Sequence, residues 1–597
     1  MTLLALPTPL LSLLLLLLPT PSIASYKEHL TLLPLPSSKL LSTFTFTART
    51  PLAAYTAQHF TRFPRSLAQI LQATSTEELH LRFSSGRWDD DEWGRRRGEV
   101  EGVGGVEMWA WLDGGEAGVE AQWQGLVNSL SGLFCASLNF IDSTRTTKPV
   151  LTFSPKGRFD ATAGEYGTGK QLRHGTLPHE VVCTENLTPF LKLLPCKGKA
   201  GIARLLDGHR VFDADWQSMA VDVRKVCSSE SCEMEIQQTV DMVLDIERSS
   251  RPRHDPIPRP KRVEELECDT TKSYNGHDTC FPMKRAESMP WTFETIFGRD
   301  VQGRCHFSDS PSTIAESEDS WSDITILNST SLPSAPLTAT RHLSGSGQAS
   351  GVLSTVLVNH TPKPQTLVYF ESLPWFLRPY LHTLRLTNPT TSREVHPDKM
   401  FYTPALDRIR GTSLELLLTI PAHSKVELEM EFEKAGLRYT EYPPDANRGF
   451  DVPGAVIRVL QHPWMPEVGG PKRSEVEDGD YYLRTPNLLL VLPTPDFSMP
   501  YNVIILTSTV VALGFGSIFN LLVRRFVLVE EVPESPLGVR VKAVKKWVQG
   551  QVAGLKGKWA RSGNKEGETI SGVKENGSAG GASSTGLDDA GVGVRKR

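Results

Sequence analysis

The sequence lacks the features by which most enzymes and nucleic-acid-binding proteins are detected. Its 597 residues contain 64 lysines and arginines against 68 aspartates and glutamates, for a net charge of −4. No excess of positive charge therefore indicates a nucleic-acid partner. The glycine-rich run 345–351 has no lysine and no G-x-S-x-G pattern, which excludes a phosphate-binding loop and a serine nucleophile elbow at that position.

Metal-binding patterns are missing as well. HEVVC at residues 179–183 stops one residue short of the second histidine of a zincin motif, so a zinc-binding histidine pair cannot form there. The acidic run 89–91 has no spaced ligands beside it and is interpreted as a solvated loop. One catalytic alternative stays open, a cysteine hydrolase that uses Cys183 with His174 or His179. We expect no catalytic residue, no metal and no cofactor in this chain.

Both ends of the chain carry targeting information. Residues 1–24 contain an unbroken leucine run at 13–18 and small residues up to Ala24, which predicts a secretory signal peptide. Residues 503–523 contain no charged side chain and are long enough to cross a bilayer core of about 30 Å. This pattern predicts one transmembrane helix near the C-terminus.

Basic residues follow the predicted span at once and indicate its orientation. Arg524 and Arg525 are followed by a basic tail, 524–597, whose further cations include Lys542, Lys545, Lys546, Lys556, Lys558 and Arg561. Positive charge of this kind marks the cytosolic side. The sequence thus predicts a single-pass type I protein with the bulk of the chain in the lumen and a tail that is partly disordered.

The cysteines agree with an oxidising compartment. All eight precede the span, and the span and tail contain none: Cys135, Cys183, Cys196, Cys227, Cys232, Cys268, Cys280 and Cys305. Disulfides persist in such compartments. If one cysteine bonds to another chain, at least one of the other seven is free or also external. Cys135, in an apolar helical pattern, is our candidate for a buried free thiol.

Three asparagines stand in sequons that a lumenal domain would expose to glycosylation. They are Asn186, Asn328 and Asn359. Asn186 lies in the segment 177–196, whose two cysteines and whose prolines at 189 and 195 are typical of a covalently anchored surface loop.

The predicted fold is mainly β with some α. Residues 25–248 contain strand and helix patterns and form a predicted mixed α/β region, which 249–320 follows as a proline-, arginine- and cysteine-containing linker. Residues 321–500 contain short alternating runs that predict a β-sandwich-type domain. Within it, apolar residues at 426, 428, 430 and 432 alternate with glutamates, and a hairpin is expected through Pro421–Ser424.

The span also carries a stripe of small and polar residues. It consists of Ser508, Ala512, Gly516 and Asn520, each four positions from the last. Small residues on one helix face allow another helix to approach closely. We therefore expect a packed partner helix in the membrane.

Three long segments resemble one protein family. SGLFCASLNFIDST (131–144), LPHEVVCTENLTPFLKLLPC (177–196) and LPTPDFSMPYNVI (492–504) are similar to the PIG-T family. Proteins of this family are subunits of the glycosylphosphatidylinositol (GPI) transamidase of the endoplasmic reticulum. Shorter resemblances occur in the same order from the mature N-terminus through the span.

The resemblance implies a non-catalytic scaffold that supports attachment of GPI anchors to precursor proteins. A cysteine-protease-like subunit, PIG-K, would carry out the chemistry and be linked by a disulfide to Cys183. PIG-S, PIG-U, a metallopeptidase-like subunit and membrane lipid would be the other neighbours. Cys196 is then expected to pair within the chain, with Cys227 or Cys232. Cys268, Cys280 and Cys305 are the other candidates for intrachain disulfides.

Overall fold

The structure is a computed structural model that divides into two units, residues 1–495 and 496–597. It describes residues 25–60, 62–95, 102, 104–157, 170–228, 231–249, 266–274, 277–282, 291–301, 303, 305, 322–327, 335–345, 347, 349–389, 393–443, 447–460, 480–493, 498–524 and 536–561. The predicted signal peptide and the sequon at Asn328 lie outside these residues.

A nine-stranded sheet forms the centre of the N-terminal region. In spatial order its strands are Ser322–Ile326, Ser25–Leu35, Lys39–Pro51, Cys232–Asp245, Trp216–Cys227, Thr76–Gly86, Gly105–Asp113, Lys170–Leu177 and Thr146–Thr147. All neighbours are antiparallel except Ser322–Ile326, which runs parallel to Ser25–Leu35. The sheet therefore receives one strand from beyond the predicted linker.

The two faces of this sheet bury different partners. Along Gly105–Asp113, Val106 and Met108 belong to a core shared with helices, whereas Trp109 and Trp111 belong to a second cluster with residues of the C-terminal region. Successive side chains of a strand point to opposite faces. The continuous apolar run of this strand thus reflects burial on both sides.

Helices cover one face of the first sheet. Arg65–Ala73 buries Leu67 and Leu71, and Glu116–Phe134 packs Leu126 and Phe134 into the same core. These two helices account for part of the helix pattern that the sequence analysis expected in residues 25–248. The remaining helices of this unit are short: Leu52–Thr56, Asp90–Trp93, Thr184–Leu193, Gly208–Val211, Ile246–Ser249 and Phe293–Phe297, with 3-10 turns at Leu138–Phe140, Ile202–Leu205, Leu381–Thr383 and Tyr439–Glu441.

Two facing sheets form the C-terminal β-region, which confirms a mainly β chain with an α/β N-terminal part. The second sheet contains Leu337–Ser344, Ser350–Asn359, Lys425–Lys434, Arg385–Asn388 and Arg393–Glu394, with Leu377–Pro379 also paired to Lys425–Lys434. The third contains Lys399–Thr403, Thr412–Ile420, Gln365–Leu373, Val456–Leu460 and Tyr481–Arg484. Phe450–Val452 pairs separately with Leu488–Leu490.

The hairpin expected through Pro421–Ser424 is wrong. Thr412–Ile420 lies in the third sheet, paired with Gln365–Leu373 and Lys399–Thr403. Lys425–Lys434 lies in the second sheet. Each strand buries an apolar row in the core between the sheets, and crossing over lets the two rows face each other. The alternation of apolar residues and glutamates specified which face of Lys425–Lys434 is buried. It did not specify which of the two sheets the strand joins.

The predicted linker contains ordered pieces. Leu266–Tyr274 and His277–Pro282 form an antiparallel pair in which Cys268 and Cys280 are register partners. Further on, Ile296 and Phe297 are fully buried in the first core, where Phe297 makes an edge-to-face contact with Phe44 at 5.6 Å. This part of the chain is thus packed against the first sheet.

A buried charge network crosses the first sheet. His80 is bonded to Glu78 through Nε2 at 2.7 Å and to Asp222 through Nδ1. Arg82 donates to the same Asp222 carboxylate at 2.6 Å. Burial alone would lower the pKa of His80, but its bonds to Asp222 and Glu78 outweigh burial and raise the pKa.

This network predicts a pH dependence of stability. A histidine whose pKa is raised by folding stabilises the fold fully below its unfolded pKa of about 6.5, and this contribution disappears as pH rises through the folded pKa. We therefore expect the thermal unfolding midpoint of the full-length protein in detergent to fall on going from pH 6 to more alkaline buffers. His80→Gln should remove that slope, while His59→Gln, at an exposed position, should keep it. An unchanged slope in His80→Gln would refute this role.

The second unit contains two long helices. Ser498–Val523 includes Tyr501–Val523, which is long and apolar enough to cross a membrane, as the sequence predicts. Pro536–Arg561 is a further helix of 26 residues in the basic tail. The sequence analysis did not predict this second helix.

Candidate functional site

Cys183 stands at the beginning of a helix whose other face is anchored in the core. It is the N-cap of Thr184–Leu193, with extended backbone, and it is a partly exposed residue whose thiol forms no disulfide. Leu187, Phe190 and Leu193 of that helix are buried in the first core. The cysteine is thus presented at the surface by an element that packing holds in place.

Asn186 fixes the backbone around this cysteine. Its Oδ1 accepts a hydrogen bond from the Cys183 amide at 2.9 Å. Its Nδ2 donates to the carbonyls of Phe134 and Cys135 at 3.1 and 3.2 Å. One buried amide thereby joins the start of the Cys183 helix to the end of Glu116–Phe134. Its position three residues after the N-cap was the available clue, since side chains there often return to the N-cap amide.

Cys135 is not the buried thiol that the apolar pattern indicated. Helix Glu116–Phe134 ends one residue earlier, and Cys135 follows it in the left-handed conformation at φ 52°. This turn of the backbone leaves its free thiol exposed. The free cysteines Cys135 and Cys183 are therefore neighbours through Asn186.

The sequon asparagines Asn186 and Asn359 are both buried in this fold. Both asparagines are at most 2% exposed. Asn359 donates from Nδ2 to the carbonyls of Lys363, Ile420 and Pro421, and so stabilises the crossing between the second and third sheets. A glycan on either Nδ2 would replace buried hydrogen bonds, so this fold disfavours glycosylation at both positions.

A groove lies beside the Cys183 segment. Its cavity volume is about 520 Å³, and one wall is formed by residues 178–182. The opposite wall comes from the β-region, where Asn487 donates to the carbonyls of Gly104 at 2.8 Å and Pro178 at 3.3 Å. The segment is therefore held by Asn487 on one side of the cysteine and by Asn186 on the other.

Contacts between the two regions fix this groove. Arg484 donates to the buried Glu107 carboxylate at 2.8 Å. Glu415 accepts from the amides of Val150, Leu151 and Thr152. Sequence analysis missed these residues because their partners lie more than 250 positions away, and no local pattern connects them.

The geometry does not assemble a cysteine hydrolase. His174 is 1% exposed and uses both ring nitrogens in the interior, with Thr147 at 3.0 Å and Glu107 at 3.2 Å. His179 is exposed, and its Nδ1 lies 2.7 Å from Arg448 and 2.9 Å from Asp451. Both imidazoles are thus engaged away from Cys183, and the alternative is not favoured.

Intrachain disulfides involve other cysteines. The structure pairs Cys196 with Cys305 and Cys227 with Cys232. Cys196 is thus not bonded to Cys227 or Cys232, as the sequence analysis expected. Cys227 and Cys232 are register partners at the end of two adjacent strands. They therefore bond to each other, and Cys196 is left to pair with Cys305.

Comparison with known proteins gives one consistent family. The family model described as "Gpi16 subunit, GPI transamidase component" matches residues 10–331 and 313–549. The chain is 37% identical to the GPI transamidase component GPI16 of Saccharomyces cerevisiae, over 87% of this chain and 92% of that protein. It is 36% identical to the PIG-T homolog of Schizosaccharomyces pombe, over 81% and 85%.

A human relative gives the same result. The GPI-anchor transamidase component PIGT of Homo sapiens is 35% identical over 87% of this chain and 95% of that protein. Among solved structures, a carbohydrate-binding domain of Clostridium thermocellum scaffoldin covers 17% of this chain and 68% of its own, with 11% identity and a TM-score of 0.13. That likeness is too weak to support an argument.

Proposed function

The chain belongs to the Gpi16 family of GPI transamidase components, and we propose that it is a non-catalytic scaffold subunit of the endoplasmic-reticulum GPI transamidase. In this role it supports the attachment of GPI anchors to precursor proteins. It stabilises a PIG-K-like catalytic subunit through a disulfide at Cys183. PIG-S, PIG-U and a metallopeptidase-like subunit are its other proposed neighbours.

The single observation that carries the tether is the free thiol of Cys183 on a fixed surface. Cys183 is partly exposed, and its backbone amide is bonded to the buried Asn186 side chain. A cysteine held in this way keeps one orientation toward a partner without a rearrangement on binding. Preorganisation of this kind lowers the entropic cost of forming a contact.

The proposed topology places residues 25–500 in the lumen and the basic tail in the cytosol. Support comes from the apolar helix Tyr501–Val523 and from the cations that follow it. Ser508, Ala512, Gly516 and Asn520 lie within this one helix, four residues apart. We propose this stripe as the face that packs against a membrane helix of another subunit.

Cys183→Ser tests the tether. On a non-reducing gel of the purified complex, we expect a high-mass band containing the PIG-K-like subunit that collapses on reduction and is absent from the variant. A disulfide raises the effective concentration of each partner near the other, and so strengthens an interface that already exists. Co-purification of the PIG-K-like subunit should therefore weaken several-fold under stringent washing without falling to background.

Cys135 supplies the matched control. Cys135 is also free and is exposed, but the proposal assigns the tether to Cys183, so Cys135→Ser should leave the high-mass band unchanged. In the native complex, an alkylating reagent should label Cys135 and spare Cys183. A monomer band in every lane, together with ready alkylation of Cys183, would contradict the disulfide. That result would favour the cysteine hydrolase alternative.

A further inference from the structure

The tail helix Pro536–Arg561 carries a solvent-exposed apolar stripe. The stripe consists of Leu537, Val541, Val544, Val548 and Val552, with spacings of four, three, four and four residues. Such spacing places side chains on one side of an α-helix. These five residues are between 45% and 74% exposed.

Positive charge surrounds this stripe. The helix contains seven cations and no acidic residue: Arg540, Lys542, Lys545, Lys546, Lys556, Lys558 and Arg561. At 100° per residue, Arg540 and Lys545 fall on the two borders of the stripe. Long basic side chains at such borders can extend past an apolar layer to reach anionic groups. Trp547, also exposed, lies beside the stripe, and tryptophan is enriched at membrane–water interfaces.

The composition of the helix requires a supporting surface. Four of its residues are glycines: Gly538, Gly550, Gly554 and Gly557. Each glycine inside a helix costs about 1 kcal/mol relative to alanine. Most helices gain their stability from packing an apolar face rather than from intrinsic propensity. A helix of this composition therefore depends on a partner for its stripe.

We propose that Pro536–Arg561 is an interfacial helix that lies on the anionic leaflet of the membrane that Tyr501–Val523 crosses. Its stripe enters the acyl boundary, and its cations contact lipid headgroups. Pro536 follows Val523 by 13 positions. Even a fully extended chain of that length reaches only roughly 45 Å, so the helix begins close to the end of the span. That leaflet is the cytosolic one if the proposed orientation holds; membrane binding itself does not depend on the tether at Cys183.

The test uses the full-length protein in nanodiscs of phosphatidylcholine alone or of phosphatidylcholine mixed with phosphatidylserine. Hydrogen exchange of residues 536–561 is followed by mass spectrometry. Each basic residue near an anionic surface strengthens binding by about fivefold. We expect amide exchange to be at least about tenfold slower in the mixed nanodiscs, with Arg540→Gln and Lys545→Gln together removing most of that difference.

Two matched substitutions separate the stripe from a general effect of charge. Val544→Asp places a carboxylate in the stripe, whereas Val539→Asp places the same carboxylate on the opposite side of the same helix. We expect Val544→Asp to abolish the slow exchange and Val539→Asp to retain it. Equal exchange in the two lipid compositions, or equal loss in the two variants, would overturn the proposal. Slow exchange that appears only with the other subunits present, whatever the lipid, would assign the stripe to a protein partner and would also overturn it.

Discussion

Arg341→Met is expected to destabilise the β-region by about 3–5 kcal/mol, because it leaves a buried carboxylate without its cation. Arg341 and Glu371 come from opposite sheets and pair inside the sandwich, at 0% and 1% side-chain exposure. Tyr369 donates to the same carboxylate at 2.6 Å. Burial raises the pKa of Glu371 even with Arg341 present. The thermal midpoint of the β-region should fall by roughly 10 °C.

Two controls define this effect. Arg378→Met removes an exposed ion pair with Asp407 and should cost less than about 1 kcal/mol. The double variant Arg341→Met, Glu371→Leu should be more stable than Arg341→Met alone, since no charge remains unpaired. Circular dichroism of the full-length protein in detergent measures all three. A loss in Arg341→Met no larger than in Arg378→Met would contradict the assignment.

Removing the Cys196–Cys305 disulfide is the second large effect. The bond closes a separation of 109 residues, for which chain entropy gives about 4–5 kcal/mol. It also fixes the segment that places Phe297 in the first core. We expect Cys196→Ser with Cys305→Ser to lower the thermal midpoint and to make residues 291–301 susceptible to limited proteolysis.

The short disulfide is the matched comparison. Cys227 and Cys232 are only five positions apart, and the same relation gives about 2 kcal/mol for such a loop. The two strands that they join are also held by a continuous antiparallel ladder. Cys227→Ser with Cys232→Ser should therefore cost about half as much and leave 291–301 protected. Equal losses for the two pairs would show that loop length does not determine the stabilisation.

Local patterns predicted the elements more successfully than their partners. The alternation from Val426 to Phe432 located a strand with one buried face. The same alternation is satisfied in either sheet of a sandwich, and the sequence analysis chose the wrong neighbour for Lys425–Lys434. Which strand pairs with Lys425–Lys434 depends on how apolar rows from distant parts of the chain pack together. A window of ten residues does not contain that information.

Asparagine and cysteine chemistry was ambiguous for the same reason. An N-x-T sequence is identical whether its amide carries a glycan or donates to buried carbonyls. Burial of Asn186 and Asn359 favours the second of these roles. Likewise Cys135 reads as a core residue in a helical pattern, and only the left-handed backbone at the helix end turns its thiol outward.

The sequence alone determined the class of the protein. Three features carried that information: the apolar span, the mainly β pattern and the long motifs of the family. Each consists of residues that are contiguous in the chain, so it can be recognised without knowledge of the fold. Tertiary structure decided that Asn186 holds Cys183, that Cys196 bonds to Cys305, and that Arg341 meets Glu371 across the sandwich. Each of the last two joins residues far apart in the chain, and the first depends on burial. Long-range packing creates the last two contacts, and no short segment specifies them by itself.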